Sequence, residues 1–336
     1  MRDVAVVSYA SSAVPEDAIH NETEMIVPVV HDAMANSGLQ KSEIGFVCSG
    51  SLDYLQGGPF AFVAGLDAVG AWPPMPESHV EMDGAWALYE AWVAIQTGEF
   101  DTALVYGFGK SSPGDLHEIM ALQTDPYYVL PLWPSMVDMA ALQACAYLDA
   151  SGKSDKDLAA VAARSKGMSV DDVLAQPVTH HPLRDADIFP ITDGAAAIVL
   201  AADDTARRVS KRPAWIRAIE HRIEAHSLGV RDLAVSESTK AAAHAANVGK
   251  VDVAELHAQF SHEELILADA LGLNGNTSIN PSGGALASNP VMAAGLIRIG
   301  EAAKRITNGE ANRALAHATS GPCLQQNMVV VLEGDK

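Results

Sequence analysis

The feature that most constrains this chain is that it repeats itself. AIQTGEFDTALVYGFG (residues 94–109) and RITNGEANRALAHATSG (residues 305–321) share Gly98 and Gly309, Glu99 and Glu310, Ala103 and Ala314, Leu104 and Leu315 at one constant offset. In each copy a strand, a glycine-containing turn and an apolar helix come first. From Gly84 to Gln96 the only charged residue is Glu90; Ala85, Leu88, Trp92 and Ile95 recur at helical spacing, and Trp86, Tyr89 and Val93 fill the other faces. A helix apolar nearly all round is a core element. Its counterpart spans residues 291–304 and carries no charge through Ile297. Two similar halves, each giving one buried helix, have to be recognised before domains are counted.

Strand-like runs at residues 4–9, 44–49, 102–106, 193–202 and 277–280 alternate with helical runs at 22–36 and 137–150, the pattern of an α/β fold. The expected architecture is a pseudo-twofold, five-layer α-β-α-β-α sandwich. Its N-terminal half takes residues 1–110 with 190–205 and its C-terminal half residues 206–336. Between them, residues 111–189 read as a loop region rich in Pro, Asp, Tyr and Trp, leading into the helical run.

Charge and cysteine usage narrow the function classes. The formal net charge of −20 argues against nucleic acid or an anionic membrane as partner. No apolar run is long enough to span a bilayer, and MRDVAVVSYA reads as a first strand, not a signal peptide. Cys48, Cys145 and Cys323 are far apart and have no metal-ligand spacing, which points to a reducing cytoplasm and no metal. The His180–His181 doublet precedes Pro182 in a loop and has no metal partners in view.

The entrance to the first apolar helix is unusually polar: His79, Glu81 and Asp83. Buried helix N-termini attract anions and perturb ionisable groups. Asp83 stands where an N-cap carboxylate accepts from the first free amides. Glu81 is either a functional base or a structural anion, and His79, one strand alternation away, reads as packing.

At this point the motifs resemble a known family. VDVAELHAQFSHEELILADALGL (residues 251–273), NPSGGALASNP (residues 280–290), DGAAAIVL and TGEFDTALVYGFGKSS together resemble the thiolase superfamily, most closely its sterol-carrier-protein-type and lipid-transfer-protein thiolase-like branch. The resemblance runs over nearly the whole chain and implies the thiolase fold, at least a dimer, and an acyl-CoA substrate with no separate cofactor. In that branch a nucleophilic cysteine opens the first buried helix, accompanied by histidines from HDCF and GHP segments and a second, acid/base cysteine. Alignment on Gly84 puts Glu81 at the nucleophile position. HDCF becomes His257-Ala258-Gln259-Phe260, and GHP becomes Ser288-Asn289-Pro290. Cys323, in SGPCLQQN, falls near the acid/base cysteine.

A carboxylate cannot replace the thiolate in thiolase chemistry, because an acyl anhydride hydrolyses. The resemblance therefore implies either a reaction with no acyl-enzyme or no reaction. In the first case the chain is an aldol-lyase for a β-hydroxyacyl-CoA of the sterol side-chain type. His257 would serve the thioester oxygen and Glu81 or Cys323 would act as base. Gly283, Gly284, Asn289 and Asp83 would lie against the substrate. In the second case it is a non-catalytic subunit supporting another thiolase-like chain or a small zinc-ribbon/OB-fold protein, or an acyl-CoA or lipid carrier. Homodimer and heteromer are both open at this level.

Overall fold

The computed structural model describes residues 2–15, 19–70 and 72–335. Met1 and Lys336, the outer ends assigned to the two halves, lie outside them. The first half contributes β1 (Val4–Pro15), β2 (Phe46–Gly50), β3 (Glu77–Val80) and β4 (Thr102–Gly109). A small hairpin of β5 (Val178–His180) and β6 (Leu183–Arg184) precedes the long β7 (Ile191–Ala202). The second half contributes β8 (Ala214–Ile223), β9 (Val253–Glu255), β10 (Ser278–Ile279), β11 (Asn289–Pro290), β12 (Arg313–Ser320) and β13 (Gln326–Glu333).

The strand order shows the repeat directly. The main sheet runs β10-β9-β12-β13-β8-β1-β7-β4-β2-β3, with β11 alongside β7. Read outward from the centre, β1-β7-β4-β2-β3 and β8-β13-β12-β9-β10 have the same sequence of pairings: two antiparallel steps, then two parallel ones. The halves join where Ala5 and Val6 of β1 meet Trp215 and Ala214 of β8. Strands β4 and β12 are both eight residues long and start at the repeat offset seen in sequence.

Side-chain alternation builds the layers, since successive residues of a strand face opposite sides. Val4, Val6, Cys48, Val105, Ile198 and Leu200 point inward onto the helices Gly84–Gln96 and Ala294–Thr307, which pack between the halves. Their alternates, Ala5, Val7, Val47, Leu104 and Val199, face outward beneath the helix Glu22–Ser37. In the second half Leu315, Val329 and Val331 face the helices Glu237–Ala245 and Ser261–Ala270. This is the five-layer arrangement expected from two buried helices.

Boundaries differ where local chemistry outweighs pattern. The first strand continues to Pro15 because β7 pairs with it as far as Pro15 and Thr192. The second central helix starts at Ala294, not residue 291, because Met292 adopts a left-handed φ of 72° and turns the chain first. The carbonyl of Met292 accepts the Gly84 N–H at 2.8 Å, joining the entrances of the two central helices. Gly107 makes that approach possible: a Cβ there would lie 2.6 Å from the Met292 oxygen.

Candidate active site

Asp83 answers why so apolar a helix has an acidic entrance. Its carboxylate is 2% exposed and accepts three backbone N–H groups: Ala85 at 2.8 Å, Gly295 at 2.9 Å and Leu296 at 3.0 Å. Ala85 opens the first central helix, and Gly295 and Leu296 open the second. One side chain therefore caps two helices whose positive ends converge, a favourable place for an anion. Burial pushes the Asp83 pKa upward, and the three N–H donors and Arg298 oppose that rise.

His257 follows β9, with its ring buried against the same entrance. Its Nε2 lies 3.1 Å from Asn289 Oδ1, and its Nδ1 accepts the Thr319 N–H at 3.4 Å. These partners fix the neutral tautomer with the proton on Nε2. Burial, reinforced by Arg298, lowers its pKa to about 4, so it stays neutral near pH 7. Asn289 is anchored by its own N–H, which donates to Thr192 Oγ1 at 2.9 Å. With its oxygen committed to His257, its Nδ2 is buried and finds no acceptor. A buried donor without a partner is costly, and a ligand oxygen is one way to satisfy it.

Asp83 and His257 line one cavity of about 40 Å³, together with Gln123, Gln259, Thr319 and the methionines Met120, Met136, Met139 and Met292. The segment 111–189 contributes Met120, Gln123, Met136 and Met139 to its walls. Gly283 and Gly284, at φ 96° and 69°, form the turn before Asn289. A Cβ on Gly284 would lie 2.8 Å from Asn280 Nδ2, so the tightness of that turn requires glycine.

Gly283, Gly284 and Asn289 are not among the residues lining this cavity, and neither are Glu81 and Cys323. Glu81 is exposed, accepts the Asp53 N–H at 3.0 Å, and lines a separate cavity of about 620 Å³ with Leu52, Tyr54 and Pro59. Partial desolvation raises its pKa. Cys323 is 7% exposed and its thiol donates to the Met139 carbonyl at 3.4 Å. Burial, with the nearby Glu263, pushes that thiol up to about 12. His79 stacks on Phe62 with ring centroids 4.0 Å apart. Among the described residues no group of three or more His, Cys, Asp or Glu side chains is arranged to hold a metal ion, and no helix is long and apolar enough to cross a membrane.

Reading the sequence missed two buried ionisable groups beside His257. Glu255 is fully buried and pairs with Arg298 at 3.1 Å. The signal was present: Arg298 is the first charge after the uncharged stretch 291–297, and Glu255 precedes His257 by two residues, which in a strand places both on one face.

No family model matches the sequence. Among curated proteins it is similar to an acetyl-CoA acetyltransferase of Methanothermobacter thermautotrophicus, 24% identical over 375 residues covering 96% of this chain and 97% of that one. It is also similar to sterol carrier protein 2 of Gallus gallus, 26% identical over 349 residues, covering 85% of this chain but 63% of that protein. Among solved structures, a chain of the "Ltp2-ChsH2(DUF35) aldolase" superposes with a TM-score of 0.81 at 17% identity, covering 99% of this chain and 98% of that one. Human mitochondrial 3-ketoacyl-CoA thiolase gives 0.80 at 15% identity, covering 99% of both chains. The chain has the thiolase-superfamily fold.

Proposed function

We propose that this chain binds an acyl-CoA and cleaves the Cα–Cβ bond of a β-hydroxyacyl-CoA without a covalent acyl-enzyme. The observation that carries the reading is Asp83 and His257 on the wall of one cavity, with Asn289 bonded to His257 behind it and no thiol among the lining residues. In the retro-aldol step the hydroxyl proton goes to a base, and the Cα–Cβ bond breaks. A carbonyl product leaves, and the electron pair passes to the thioester as an enolate. Protonation at Cα then gives the shortened acyl-CoA.

In this scheme the cavity widens as far as Asn289 when substrate enters, and its unpartnered Nδ2 donates to the thioester oxygen and stabilises the enolate. Neutral His257 holds Asn289 in that orientation. Asp83 is the carboxylate on the cavity wall, and burial moves its pKa in the direction a weak carboxylate base needs. Glu81 and Cys323 take no proton from the substrate, because one faces Asp53 and the other is closed behind Met139.

A second reading rests on the cavity itself. A space of about 40 Å³ holds little more than one water. A chain whose site opens only against a partner would be a supporting subunit, completed by another thiolase-like chain or a zinc-ribbon/OB-fold protein. The test is turnover of a branched β-hydroxyacyl-CoA by the chain alone and with such a partner. The lyase reading expects Asn289→Ala and His257→Ala to lose at least about a hundredfold in kcat, the scale of one oxyanion donor. Equal turnover by either variant would assign the chemistry to the partner.

A further inference from the structure

A buried ion pair is weak evidence for stability, because desolvating two charges offsets their attraction and apolar replacements are often no worse. The Glu255–Arg298 pair, with side chains 0% and 4% exposed, therefore calls for another explanation. Its connections supply one. Arg298 donates to Glu255 Oε2 at 3.1 Å and to Ser282 Oγ at 2.7 Å. Ser282 in turn donates to Glu255 through its hydroxyl at 2.6 Å and its N–H at 3.2 Å. Three segments meet there: β9, which runs into His257; the turn through Gly283 and Gly284, which leads to Asn289; and the helix Ala294–Thr307, whose first amides bind Asp83.

We propose that Arg298 is a positioning residue of the site, clamping the segments that carry His257, Asn289 and Gly295 and setting the electrostatic field at the imidazole by its fixed positive charge. Asp83, on the far side of the helix entrance, feels the same charge with the opposite consequence and is favoured as the anion. The other charged and titratable groups around this network are Glu255 on β9, Glu301 on the central helix, Tyr9 on β1 and His317 on β12. Arg305, on the same helix, is the other permanent positive charge coupled to this network, and it is paired with Glu310. The role as a clamp for Asn289 rests on the lyase reading above; the electrostatic effect on His257 does not.

The experiment is an NMR titration of His257 in the substrate-free protein, so its outcome is independent of any turnover. In the double variant Arg298→Gln/Glu255→Gln, which leaves no unpaired buried charge, the His257 midpoint should rise from about 4 by about one pH unit. Arg298→Lys, which keeps the charge, should hold the wild-type midpoint, whereas a purely structural role would lower thermal stability in both and move the midpoint in neither. A folded double variant with an unchanged midpoint overturns the proposal. So does a rise in Arg298→Lys, which serves as the deciding variant if the double one does not fold.

Discussion

Removing the Asp83 carboxylate should be among the costliest single changes in this protein. Asp83→Ala leaves three buried N–H groups, of Ala85, Gly295 and Leu296, without an acceptor. Each such orphan costs about 1–3 kcal/mol, and the loss of an ordinary N-cap about 1 kcal/mol. Partial relaxation and shared geometry keep the sum below three full penalties, so about 4 kcal/mol is expected. Asp83→Asn keeps one acceptor oxygen but turns a donor toward a second amide, and should cost about half as much. Urea denaturation monitored by circular dichroism gives both values, with the slope m checked for constancy. A loss under about 1 kcal/mol in Asp83→Ala would refute the double cap. Asp83 would then have to be solvated through the cavity, and the convergence of the two helix ends would have another cause.

Further outcomes follow from the same geometry. His262 is buried with its pKa lowered to about 3, so between pH 4 and 6 the unfolded chain binds a proton there that the folded chain does not, and stability falls as pH falls. His262→Gln should therefore flatten the stability–pH profile in that window by about 1.4 kcal/mol per pH unit; an unchanged slope would contradict the buried neutral ring. Burial pushes the Cys48 and Cys323 thiols to about 12, so a disulfide reagent at pH 8 should modify at most Cys145 in the native protein and all three thiols after denaturation. Gly107→Ala should cost more than about 2 kcal/mol in the same denaturation assay, because the added methyl meets the Met292 carbonyl that receives Gly84.

How much of this was legible beforehand depends on the range of the interaction. The two central helices, the eight-residue strands at one offset and the N-cap at Asp83 are written in local periodicity and capping chemistry. The second helix bound by Asp83 was not, because Gly295 lies 212 residues away and only the pseudo-twofold packing brings it near. Glu81 aligns with a family nucleophile, yet its side chain follows the loop containing Asp53, a choice that alignment does not encode. In the sequence Asn289 stands only where the family's GHP segment has its histidine; the free Nδ2 appears only once His257 is seen to occupy its oxygen. Arg298 was readable as a charge at the end of an apolar stretch, but its partner Glu255 comes from a strand that only the fold brings near.

The most direct test of the account is product analysis with a branched β-hydroxyacyl-CoA, combined with intact-protein mass spectrometry during turnover, on the chain alone and mixed with a zinc-ribbon/OB-fold protein. The account predicts equal amounts of a carbonyl product and a shortened acyl-CoA, with the protein mass unchanged throughout. An acyl adduct on this chain would contradict it, and so would the absence of both products while acyl-CoA remains bound.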